Sequence, residues 1–255
     1  MGFSFHYFAN PARFMRASGK VLPWLTALTA LCLGVGLVGG LVLAPPDYQQ
    51  GDTVRIMFIH VPSAWVGMMG YTMLAAASAS ALIWRHPLAE VAAEAAAPLG
   101  AGFTLVCLVT GSLWGAPMWG TWWVWDARLT SVLILFFLYL GYMALAGAFD
   151  DAARGRRAAS ILALVGFVNV PIIHYSVVWW NTLHQPASVM RLGGPSIDPS
   201  ILWPLLVMAL GFTLLFLTLW VVRMRTALIR RKIEALELAA ADAAGAGHYR
   251  PVTAP

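Results

Sequence analysis

Five tryptophans stand within the twelve residues that precede Asp126, in Trp114-Gly-Ala-Pro-Met-Trp-Gly-Thr-Trp-Trp-Val-Trp-Asp126. Indole offers a broad apolar face and a single N–H donor at its edge. Trp114, Trp119, Trp122, Trp123 and Trp125, held in a Gly- and Pro-broken loop, predict a wide, flat platform for a large planar aromatic ligand. An ordinary membrane belt needs only one or two tryptophans per helix end.

Two of the six histidines bracket this loop in the sequence. His60 lies in Phe58-Ile-His-Val-Pro-Ser-Ala-Trp65, and His184 in Trp179-Trp-Asn-Thr-Leu-His-Gln-Pro186. A planar porphyrin needs axial ligands for its iron, and imidazole is a common one. His60 and His184 could clamp such a ring from opposite faces, with ligating nitrogens about 4 Å apart if each bond is about 2 Å. The alternative is that each is a hydrogen-bonded interfacial residue. His174, below the outer end of an apolar run and three residues after Pro171, is better suited to bonding a neighbouring helix than to ligation.

Cations near these histidines suit the carboxylates of a porphyrin, because the planar guanidinium fork pairs with them. Arg55 and Arg128 are the favoured partners and Arg191 a weaker one; lipid headgroups or Asp126 are the alternatives for these cations. Asp126 itself is expected to cap the helix that follows or to pair with arginine, and it could also orient a neighbour.

The elements that position these residues are apolar. Of 255 residues, 60% are hydrophobic and 11% charged, and runs of about 20 apolar residues cross a hydrocarbon core roughly 30 Å thick. Six are present, at 21–44, 57–84, 95–113, 129–149, 158–180 and 201–222. The expected fold is all-α, a polytopic bundle of six transmembrane helices. Residues 1–222 form its domain, with the tryptophan loop at 114–128, and 223–255 form a basic cytoplasmic tail, helical at first and then disordered. The first run, at about 24 residues, exceeds the 7–15 residue core of a secretory signal and is retained as a span.

Arg13, Arg16 and Lys20, Arg85, the Arg154/156/157 group and the arginines and lysine of 223–232 fall on one side of these spans. Only Arg55, Arg128 and Arg191 fall on the other. The positive-inside rule puts both termini in the cytoplasm and the tryptophan loop outside. His6, His86 and His248 then face the cytoplasm. The net charge of +5 is this asymmetry and gives no sign of nucleic-acid binding. Membrane lipid is the expected surrounding.

Gly34-Val-Gly-Leu-Val-Gly39 matches a dinucleotide fingerprint in letters alone. It sits inside a span with no strand before it, so close helix packing is the expectation. Cys32 and Cys107 form neither a zinc set nor a C-x-x-C-H attachment site, so any haem is held non-covalently, as haem b. No P-loop is present, and no catalytic residue is expected.

The run from Trp114 through Asp126-Ala-Arg-Leu-Thr130 resembles the WWD signature of bacterial haem-handling membrane proteins, and within them the CcmC family of cytochrome c maturation. The likeness extends over six spans, the outward loop and one histidine on either side of it. It implies that His60 and His184 are axial iron ligands at the periplasmic face of the inner membrane. It also implies that haem is presented there for covalent attachment to the chaperone CcmE, beside the ABC-type subunits CcmA and CcmB and the small protein CcmD. ATP hydrolysis would belong to CcmA. Competing readings are a haem-translocating channel and a cytochrome b-like electron carrier.

Overall fold

A computed structural model describes residues 10–184, 188–189 and 191–246, with 243–246 as backbone alone. His6, His248 and the Ala/Gly/Pro end of the tail lie outside these residues. The described residues contain no strand, only one isolated bridge between Asp47 and Gly51. Six helical stretches are long and apolar enough to span a membrane: Pro11–Leu43, Asp52–Trp84, Pro87–Trp119, Ala127–Ala146, Ala152–Trp179 and Pro199–Asp242. The helices are α1 (Pro11–Val38), α2 (Met57–Trp84), α3 (Pro87–Trp119), α4 (Ala127–Ala146), α5 (Ala152–Gly166), α6 (Asn169–Trp179) and α7 (Pro199–Ala246). A π-helical turn, Gly39–Leu43, ends the first span, and a 3-10 turn, Asp52–Ile56, begins the second.

Several boundaries depart from the apolar runs for identifiable reasons. α3 begins at Pro87 rather than 95, because Glu90 and Glu94 lower hydropathy without breaking the helix. They pair with Arg156 and Arg231, each at 3.1 Å. α3 also continues to Trp119 rather than 113 and stops at Gly120, whose φ of 71° provides a left-handed cap. The aromatic loop is therefore 120–126, and Trp114 and Trp119 are helical. The fifth run is split, as Pro171 predicts. The Pro171 ring cannot share space with the carbonyl of Phe167 four residues earlier, and that carbonyl instead accepts a tighter bond from Val170 N–H at 3.0 Å. α7 runs on through 222 to Ala246 without a break, since Leu, Ala, Glu, Arg and Lys favour helix with or without lipid around them.

α2 packs along α3, and α1 along α7. The main core is built on Tyr71, Leu74, Leu135, Tyr139, Ile173 and Phe216, all fully buried. The rings of Tyr71 and Tyr139 meet edge-on at 5.0 Å, and the Tyr139 hydroxyl donates to the Gly67 carbonyl at 2.8 Å. Other polar groups join helices directly. Thr29 and Thr218 hydroxyls lie 2.9 Å apart between α1 and α7, and Trp220 Nε1 donates to the Ala92 carbonyl at 2.8 Å. Such bonds hold helices together where lipid gives them no hydrophobic reason to associate.

The glycine-rich end of the first span packs closely, as expected. Gly36 faces Met208, Gly39 faces Trp203 and Gly40 faces Phe58, each with no room for a methyl group. Gly34 faces open space. At Gly100 a methyl group would enter the ring of Tyr139, which is fully buried and cannot swing away. Gly100→Ala is expected to destabilise the protein by about 1–3 kcal/mol. Gly34→Ala should leave the melting temperature unchanged or raise it. Thermal unfolding in detergent checks both.

Candidate functional site

His60 lies in the first turn of α2, one turn beyond the 3-10 segment that aims the helix. Its Nδ1 lies 3.0 Å from the Cys107 carbonyl and 3.1 Å from Thr110 Oγ1 on α3. The Thr110 hydroxyl hydrogen is directed to the Val106 carbonyl at 2.6 Å. Both neighbours of Nδ1 are therefore acceptors, which places the imidazole hydrogen on Nδ1 and leaves the Nε2 lone pair free. Gly111 makes room for the ring: a Cβ there would stand 2.9 Å from His60 Cε1. Trp114 meets the imidazole edge-on at 5.6 Å and is fixed by donating Nε1 to Gln50 Oε1 at 3.1 Å.

His184 arrives from the irregular segment after α6. Asp126 holds this segment with one carboxylate oxygen while the other works on α4. Oδ1 accepts from Leu129 N–H at 2.7 Å and caps α4, as expected. Oδ2 accepts from Leu183 N–H at 3.3 Å and lies 3.6 Å from His184 Nδ1. That last distance is too long for a hydrogen bond but short enough for charge to act. Burial holds the His184 pKa below its ordinary value, Asp126 raises it, and Arg128 lowers it. Burial thus favours the neutral imidazole, the form a metal requires. The Trp119 ring meets it edge-on at 4.9 Å.

Both histidines line one cleft of about 650 Å³, counting its open mouth, together with Trp119, Trp123 and Arg128. Its floor is apolar, from Met68, Leu108, Val132, Leu135 and Ile173. The lining suits a mostly apolar ligand with a few polar contacts. Arg128 reaches the cleft from α4 while its Nε donates to Ser176 Oγ at 2.8 Å and its Nη2 to the His174 carbonyl at 3.4 Å. Trp123 Nε1 is buried with no hydrogen-bond partner among the described residues.

The five indoles take different positions, and the rings of Trp123 and Trp125 meet edge-on at 5.5 Å. Trp119 and Trp123 line the cleft, Trp114 backs His60, and Trp122 and Trp125 face outward, 62% and 76% exposed. Helix α3 causes this, since it separates Trp114 and Trp119 from the loop. Arg55 does not line the cleft either. It donates to Asp52 Oδ1 at 3.2 Å and to the Leu41 carbonyl at 2.6 Å, tying the two ends of the first loop together. Arg191 is exposed. His174 faces outward beside Tyr175, and only its backbone carbonyl serves the site. Cys107, Thr110 and Gly111 went unrecognised in the sequence. With Trp114 they recur at i, i+3, i+4 and i+7, so one face of α3 is turned to His60.

Asp126→Asn separates the two tasks of that carboxylate. Asparagine caps a helix as well as aspartate, so α4 is expected to stay formed while the His184 pKa falls further. Histidine NMR titration reads this directly; an unmoved His184 titration would show that the carboxylate charge does not act on it.

A family model described as heme exporter protein C, CcmC, matches residues 4–239. The heme exporter protein C of Bradyrhizobium diazoefficiens is 61% identical over 90% of this chain and 87% of its own length. That of Haemophilus influenzae is 51% identical over 88% and 92%, and that of Escherichia coli 50% identical over 88% and 90%. The chain belongs to the CcmC family.

Proposed function

We propose that this protein is a haem-handling subunit of cytochrome c maturation. It holds haem b non-covalently in the cleft at the outward face of the bacterial inner membrane and presents it to the chaperone CcmE. The observation that carries this reading is the convergence of His60 and His184, from the start of α2 and the end of the 180–184 segment, on one cleft. His60, through its free Nε2, and His184 would hold the iron. Trp119 and Trp123 would cover the porphyrin, and the buried N–H of Trp123, without a partner among the described residues, would give it a donor. Arg128 is the propionate partner within the cleft, and Arg55 supports the loop beside it. Attachment would take place at a vinyl group of the haem, and the chain would supply orientation and exclusion of water.

The arginine asymmetry supports the outward assignment, with both chain ends read as cytoplasmic by the positive-inside rule. CcmA, CcmB and CcmD complete the assembly, with ATP hydrolysis on CcmA. Outer-face loading is favoured over a relay of histidines across the membrane because His174 turns away from the cleft.

The test is the visible spectrum of purified protein. Wild type should carry low-spin haem, and His60→Ala and His184→Ala should each lose or alter that signature while remaining folded. If both folded variants keep the wild-type spectrum, the two histidines are not the ligands. A finer comparison concerns the arginines. Removing a charge-assisted contact costs about 1.5–3 kcal/mol, so Arg128→Ala should release haem to apomyoglobin at least tenfold faster than wild type. Arg55→Ala should change that rate less, because its guanidinium is engaged by Asp52 and Leu41.

A further inference from the structure

A second cleft lies at the opposite end of the bundle, where α2, α3 and α5 meet. It encloses about 900 Å³, counting its open mouth, and is lined by Leu82, Arg85, Glu90, Arg156, Arg157 and Ile161 among others. We propose that it binds the phosphate of an anionic phospholipid, with the headgroup on Arg85 and Arg157 and an acyl chain against the apolar wall below.

Three guanidinium groups share this cleft with a single carboxylate. Glu90 is already taken by Arg156 at 3.1 Å. The nearby Asp151 turns its carboxylate to the first N–H groups of α5, at 2.8 Å from Ala153 N and 3.4 Å from Arg154 N. Among the described residues neither Arg85 nor Arg157 has an ion-pair partner. Two planar forks with no carboxylate between them suit a phosphate.

The backbone at Arg85 is unusual. Pro87 opens α3 and holds His86 extended, with φ −75° and ψ 117°, so the reversal from α2 falls on Arg85 alone. Its φ is 48°, the single positive value at a non-glycine position among the described residues. Glycine adopts that conformation without strain. Arg85 thus lines the cleft from a tight turn.

Depth selects a lipid over a free anion. Ile83 and Trp84, just before Arg85, are 66% and 53% exposed, and Ile161 on α5 is 50% exposed. Large apolar side chains turned outward face hydrocarbon, and tryptophan marks its boundary with the headgroups. Leu82 and Ile161 therefore continue the lipid-facing surface into the cleft, and the arginines stand at its rim. Basic clefts between spans on the cytoplasmic side are suited to anionic headgroups.

Native mass spectrometry of the full chain in detergent, titrated with phosphatidylglycerol and phosphatidylcholine, tests this. Phosphatidylglycerol should bind in preference. Arg85→Gln/Arg157→Gln should weaken it about 25-fold, about fivefold for each arginine. Arg223→Gln/Arg230→Gln removes the same charge at the same end of the bundle and should leave binding unchanged. Inorganic phosphate at equal concentration should not displace the lipid. Wild-type affinity in the cleft variant, equal loss in the α7 variant, or displacement by phosphate would each overturn the assignment. Should the double variant fail to fold, Arg157→Gln on the exposed face of α5 carries the same test at about fivefold.

Discussion

The site depends on the two oxygens of Asp126. A helix that starts in or near a membrane leaves its first N–H groups without water, so something in the chain must accept them. Asp126 Oδ1 does this for α4. Its Oδ2 holds Leu183 N–H and faces His184, so the group that begins α4 also anchors the segment carrying one histidine. Arg128 sits two residues into the capped helix, and the cap fixes where its side chain emerges. From there it reaches Ser176 and the His174 carbonyl on α6. One carboxylate thereby sets the relative positions of α4, α6 and the 180–184 segment.

The two imidazoles are held differently. His60 is borne on a helix and turned by neutral groups of α3, the Cys107 carbonyl and the Thr110 hydroxyl. His184 is borne on an irregular segment and faces a carboxylate. A negative group behind an imidazole makes it a stronger donor to any metal it meets. On the other side, a rigid helix supplies position without charge. The tryptophans divide along the same line, Trp114 bracing His60 and Trp119 bracing His184.

Much of this was legible in the sequence. Six apolar runs gave six spans, Gly36, Gly39 and Gly40 gave close helix contacts, and Pro171 gave the break in the fifth span. Asp126 reads as a cap from its place before an apolar run. The division of the tryptophans was not legible. It depends on α3 continuing through Gly115 and Pro117, both of which signal a loop by composition. Proline near the end of a helix removes an N–H whose loss is small once Gly120 closes the last turn. Nor could the sequence place Arg55, because the Leu41 carbonyl reaches it only through the fold of the first loop. Bonds between side chains and distant backbone carbonyls have no periodicity to read.

The break between α5 and α6 shows how a helix defect serves a site in apolar surroundings. α5 packs into the main core through Ala159 and Ala163, and Gly166 at its end leaves room for the Tyr71 hydroxyl. α6 packs chiefly on α4, sends Ile173 into the cleft floor and offers Ser176 and the His174 carbonyl to Arg128. A proline within a helix costs about 3 kcal/mol where nothing compensates. Here Asn169, the first residue after the break, is buried and donates Nδ2 to the Ser131 carbonyl at 2.9 Å. Because the break is bonded to α4, and Asp126 bonds the N-terminus of α4 to the 183–184 segment, α6 is joined to α4 at both of its ends. The pair therefore forms one wall of the cleft, opposite the wall that α2 and α3 make around His60.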